Sequence, residues 1–195
     1  GPEGPAGPEG PPGPKGEDAG TVLYVENGAE QIAARTYELD KPVAIKDLDL
    51  KFIQEKVAGD GQFGANVILG IDLNGDGKYE ADDLGWHLGD KQHKPSALGA
   101  DTFLEMDAVD PDVGFVNAPK VAHWWGPDIG GSTPPNDASC YGTLLDYIEN
   151  CGNKREGLDE NSLVRVVRFV IGGSPNWQNF GVRVTSQFDN LILGK

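Results

Sequence analysis

The sequence has little of what most chemistry uses. Among 195 residues there are two cysteines, three histidines and one methionine, and 16 Lys and Arg stand against 31 Asp and Glu. The net charge of -15 excludes the basic patches that nucleic acid or an anionic membrane needs, and it fits a solvated surface, cation binding or a calcium-rich medium. There is no run of 18 apolar residues, so no membrane-spanning helix is expected. There is no charged, apolar, then small-residue start, and no initiator Met, so we expect a processed protein or a fragment without its export signal. The histidines, His87, His93 and His123, are scattered, without H-E-x-x-H or Cys/His zinc spacing. There is no G-x-S-x-G elbow and no phosphate-binding glycine loop. The paired carboxylates of glycoside cleavage are distant in sequence and leave no local motif. On this basis the chain is expected not to be an enzyme.

Glycine is plentiful, and at the front it is periodic. In "GPEGPAGPEGPPGPKGED" Gly occupies positions 1, 4, 7, 10, 13 and 16, and Pro follows it in five of the six triplets. Only a hydrogen side chain fits the crowded axis of three polyproline-II strands, and Pro presets φ near the required value. Gly1–Asp18 therefore resembles a collagen-like segment, and the resemblance implies a homotrimer. Six triplets make a rod of only about 50 Å, short for a helix that must trimerise by itself. Three arrangements remain: a longer native stalk, a following domain that holds the trimer, or a flexible linker.

Residues 19–35 read as a connecting segment. "TVLYV" (21–25) is β-branched and aromatic, a strand that pairs within its own domain or adds to a neighbour's sheet and builds filaments. Residues 36–195 read as an all-β jelly-roll β-sandwich. Its strand candidates are 36–39, 44–57 with one slip in the alternation, 65–73, 101–109, 161–173 and 182–194. "AEQIAAR" (29–35) and "GTLLDYIEN" (142–150) are the two helix candidates. The set "DLDLKF", "VILGIDLNGDG", "GTLLDYIEN" and "VRVVRFVIGGSPNWQNFGVRVTSQFDNLIL" resembles the jelly-roll domains of secreted archaeal and bacterial surface proteins, akin to galactose-binding-like and carbohydrate-binding modules. That resemblance implies fold more than function.

The sharpest chemical signal is "DLNGDGKYEADD" (72–83). Asp72, Asn74 and Asp76 take loop positions 1, 3 and 5. Lys78 offers its backbone carbonyl at 7, Glu80 stands at 9 and Asp83 at 12, with Gly77 at the sharp turn. Alternating hard oxygen ligands wrap one cation, and calcium tolerates such an irregular cage. The loop resembles those of dockerin and EF-hand proteins, but "GANVILGI" before it is strand-like rather than helical. A structural Ca2+ staple is expected rather than a switch. A second acidic set, Glu105, Asp107, Asp110 and Asp112, is a weaker calcium candidate, and Asp189 could assist a structural metal.

Cys140 and Cys151 flank ten residues, and a disulfide between them is expected, with stabilisation on the order of 3 kcal/mol. It places the chain in an oxidising compartment, extracellular or at the cell surface. Trp124 and Trp125 in "HWWGPD" and Trp177 in "SPNWQNFG" lie in Gly/Pro-rich stretches, where exposed rings could stack on sugars. The opposing reading is that adjacent Trp side chains point opposite ways, one into the core. Two functions remain: a calcium-stabilised structural jelly roll on a collagen-like stalk, assembling as trimer or filament, and a carbohydrate-binding or adhesin module displayed by that stalk.

Overall fold

The computed structural model describes residues 20–27, 31–59, 61–79, 101–126, 142–151, 157–172, 178–186 and 188. They form an all-β sandwich of jelly-roll type. The described strands are β1 (Thr21–Asn27), β2 (Ile32–Ala44), β3 (Lys51–Ala58), β4 (Asn66–Asp72), β5 (Thr102–Met106), β6 (Phe115–Asn117), β7 (Trp124–Trp125), β8 (Leu163–Gly172) and β9 (Gln178–Ser186). One sheet runs β1-β9-β3-β6 and the other β2-β8-β4-β5-β7, with every pairing antiparallel.

Alternation explains which residues face the space between the sheets. β1 sends Leu23 and Val25 inward, β9 sends Phe180, Val182 and Val184, and β3 sends Phe52 and Gln54. Facing them are Tyr37 and Leu39 of β2, Val67, Leu69 and Ile71 of β4, Leu104 and Met106 of β5, and Val167, Phe169 and Ile171 of β8. Phe169 takes Phe52 edge-on at a centroid distance of 5.1 Å, tying one sheet to the other. Buried Gln54 is a polar strut in this layer. Its Nε2 donates to the Asp110 carbonyl at 3.1 Å and its Oε1 accepts from Ala65 N–H at 3.3 Å.

Several expectations are corrected. The sandwich begins at Thr21 rather than at residue 36, because β1 and β2 are integral strands. β1 pairs with β9 of its own chain. "AEQIAAR" is not helical where it is described: from Ile32 it is the start of β2, which takes in 36–39 and pairs along most of its length with β8. The 44–57 segment divides into the end of β2, a 3-10 turn at Ile45–Asp47, and β3, with a register shift between Lys56 and Ala58. The last described strand starts at Gln178 and ends at Ser186. The second helix candidate is realised as α1 (Leu144–Cys151). Thr143 Oγ1 accepts from Asp146 N–H and Asp146 Oδ2 accepts from Thr143 N–H, each at 3.2 Å, a reciprocal cap that starts the helix. Leu144 and Tyr147 anchor it on the main core.

Candidate functional site

Two places carry most of the described sequence-predicted residues, and the fold creates a third. The first is the loop that follows β4. Asp72 closes the strand and is buried. Its Oδ1 accepts from Gly75 N–H at 2.7 Å and its Oδ2 from Gly77 N–H at 2.8 Å. Asn74 Oδ1 accepts from Asp76 N–H at 3.0 Å, and Asp76 Oδ1 accepts from Lys78 N–H at 2.8 Å. Gly75 and Gly77 have φ of +75° and +82°, the left-handed values that such a tight coil requires. Leu73 N–H donates to Asp101 Oδ1 at 3.0 Å, which fastens the loop to the start of β5. Side chains 72, 74 and 76 thus fold onto one short stretch of backbone. A carboxylate has about four acceptor sites, so Asp72 and Asp76 keep oxygen lone pairs beyond the bonds they make to the loop. The donor set is all oxygen, the chemistry that suits calcium. Glu80 and Asp83 lie outside the described residues. Among the described residues no group of three or more His, Cys, Asp or Glu gathers as a metal cluster.

The second place is the outer face of the five-stranded sheet. Thr36, Arg168, Ile68, Glu105 and Trp125 lie in one row across β2, β8, β4, β5 and β7. Asn66 Nδ2 donates to Glu105 Oε1 at 3.1 Å, Arg168 Nε donates to Thr36 Oγ1 at 2.7 Å, and Trp125 Nε1 donates to Asp107 Oδ1 at 2.7 Å. Burial pulls the Arg168 guanidinium below its ordinary pKa, with the charge of Tyr79 acting the other way. Ile68, Phe103, Trp125, Val166 and Val170 form a second apolar cluster here, and Tyr79 packs on it. The Tyr79 ring lies over Gly70, where a Cβ would come within 2.9 Å of it.

This arrangement corrects the reading of Trp124 and Trp125 as exposed sugar-stacking rings. The two point to opposite faces, as neighbours in a strand must, but both faces are buried. Trp124 lies in the main core, its Nε1 donating to the Ala118 carbonyl at 2.8 Å, and Trp125 lies in the second cluster. The second acidic set is also divided. Glu105 and Asp107 make the bonds just described, whereas Asp110 caps a 3-10 turn at Pro111–Val113 by accepting from Asp112 N–H at 2.8 Å. Trp177, Cys140, His87, His93 and Asp189 lie outside the described residues, as does the Cys151 side chain at the end of α1.

The third place was not anticipated. A surface pocket of about 530 Å³ is walled by Lys56, Phe63, Asp110, Asp112 and His123. Phe63 is 46% exposed and presents its ring there. The Gln54 strut holds the pocket's Asp110 wall against β3. These residues come from four separated stretches, so no local motif announces them.

No protein family profile matches the chain. No curated protein matches it significantly. Among solved structures, it is similar to a thermostable cellulase derived from the Cel12A cellulase of Rhodothermus marinus, with 11% identity, a TM-score of 0.30, and coverage of 83% of this chain and 76% of that one. That similarity is to an enzyme, and it removes the expectation that the chain is not one. A TM-score of 0.30 assigns no reaction, substrate or catalytic residue here. Among the described residues no helix is long and apolar enough to cross a membrane.

Proposed function

We propose that this chain is a calcium-stabilised jelly-roll domain, displayed outside the cell on a collagen-like stalk and assembled from several copies. The observation that carries the calcium reading is the loop Asp72–Lys78. Its acceptors at positions 1, 3 and 5 each fold back onto loop N–H groups, so the coil that would wrap a cation is already formed. A site that needs little reorganisation binds without a large ordering cost. The loop joins β4 to Tyr79 on the sheet face, so an ion held there would act as a structural staple. The periodic Gly-X-Y run supports the stalk, and the acidic surface suits a calcium-rich medium.

The test is thermal unfolding with calcium and with EDTA, beside calorimetric titration of the EDTA-stripped chain. Calcium at a hundred times its dissociation constant contributes about 2.7 kcal/mol. For a domain of this size that raises Tm by about 5–10 °C. Asp72→Asn should abolish most of the shift, while magnesium should substitute poorly. Equal melting in calcium and EDTA, with no heat of binding, would sink the calcium reading.

A second reading, glycan binding, is favoured by the pocket rather than by Trp124 and Trp125. An exposed aromatic ring beside acids and a histidine, in a volume of about 530 Å³, is the composition of a small-ligand site. Polysaccharide titration followed by calorimetry should show binding that Phe63→Ala weakens at least tenfold. Binding unaffected by that substitution would place the glycan elsewhere.

A further inference from the structure

The outer face of the four-stranded sheet is apolar and open. Val22 and Tyr24 of β1, Ile53 and Val57 of β3, and Phe115 of β6 point outward and are 50%, 46%, 56%, 38% and 57% exposed. Register brings them together. Ile53 stands opposite Phe115 on one side and Thr185 on the other. Tyr24 stands opposite Gly181, and a Cβ on Gly181 would lie 3.1 Å from the Tyr24 ring and 3.2 Å from Val57. The two side chains therefore flank the space above Gly181 of β9, where a Cβ would be a tight fit. These residues come from three strands, with Gly181, Arg183 and Thr185 of β9 between them, and form one patch rather than scattered surface apolars.

Charge on this patch is balanced. Arg183 of β9 lies between Val22 and Glu55 in the register, and its Nη1 pairs with Glu55 Oε2 at 3.1 Å. In a chain of net charge -15, most of the surface repels a second copy. Here the repulsion is locally cancelled.

We infer that this face, centred on Tyr24, Ile53 and Phe115, is where a second copy of the chain docks. The inference rests on the proposed assembly through the Gly-X-Y stalk and names its contact surface. The choice of occupant follows from where the stalk joins the head. The last triplet ends at Asp18, and β1 begins at Thr21. Three Cα steps reach at most about 11 Å. Gly20 is packed against the β9 end, where a Cβ would lie 2.5 Å from Thr185 Oγ1 and 2.6 Å from the Val184 carbonyl oxygen. Three chains joined at residue 18 therefore bring three β1 entries close to one axis. Thr185, Ile53 and Phe115 form the row of the open face nearest that entry.

The experiment uses the full chain with its stalk. Solution mass by sedimentation would be measured over a concentration series for the unaltered chain and for Ile53→Glu and Phe115→Glu. Ala34→Glu, on an exposed position of β2 in the other sheet, is the control. Hydroxyl-radical labelling of Tyr24 is the second readout. The expected result is a multi-chain mass for the unaltered chain and the control, a single-chain mass for both face variants, and Tyr24 labelling about fivefold slower in the assembly. Ile53 and Phe115 are more than half exposed, so the variants should melt with the unaltered single chain, which separates lost docking from lost folding. A multi-chain mass that survives in both variants, with Tyr24 labelled at the single-chain rate, would overturn the docking face and leave the stalk reading standing. A single-chain mass for the unaltered protein at every concentration would overturn both.

Discussion

The two sheets treat their outer faces oppositely. On the five-stranded sheet Ile68, Phe103, Trp125, Val166 and Val170 are all at most 4% exposed. On the four-stranded sheet Val22, Tyr24, Ile53 and Phe115 remain 46% or more exposed. Both faces are rich in apolar side chains, so hydropathy alone does not separate a layer of core from a surface. What differs is the polar company. The closed face carries a carboxylate, an amide and an indole N–H that are bonded to partners within the face, and among the described residues the open face carries solvent-facing ion pairs, Arg183 with Glu55 and Lys51 with Asp49. Buried polar groups must be satisfied, and an exposed pair contributes little.

Substitutions can sharpen or break that contrast. The largest effect should come from Trp125→Ala, which removes a large buried ring together with the Nε1 bond to Asp107. We expect a loss of about 3–5 kcal/mol in urea unfolding, against well under 1 kcal/mol for Tyr24→Ala in the single chain. Similar costs at the two positions would show that the open face is already covered. Glu105→Ala should rank next. It leaves the buried Asn66 amide without its carboxylate, a loss of about 1–3 kcal/mol by the same measurement. If Glu105→Ala proved neutral, the polar row would be ornament rather than part of the closed layer. The smallest effect belongs to Glu55→Gln on the open face, where loss of the Arg183 pair should change stability by less than about 1 kcal/mol and fade further in high salt.

Much of this fold was legible along single strands. The apolar runs of β4 and β8 stand out because both their faces are largely buried, and α1 falls almost wholly within the "GTLLDYIEN" helix candidate. β2 was not legible at its start. Ala33, Ala34 and Arg35 favour helix in isolation, and pairing with Phe169, Val170 and Ile171 of β8 overrides that weak preference. The coil of the loop at Asp72–Lys78 follows from residue spacing, because each acceptor bonds a neighbour only two to five positions on. The burial of both tryptophans was not legible, since a two-residue strand has no period and nothing local shows that its sheet is covered twice. The pocket at Phe63 and the open patch draw on strands and turns far apart in sequence, so each exists only once the register is set.

β4 has a consequence of its own. All seven of its residues are buried, with Val67, Leu69 and Ile71 in one apolar layer and Ile68 in the other. Such a strand has no side on which a half-assembled domain can rest in water. Opening either layer exposes the backbone that the other layer is built on, so the two layers share one cooperative unit. Heat or denaturant should then dissolve them together, in one transition, and amides on the two sides of β4 should exchange with solvent at a common slow rate.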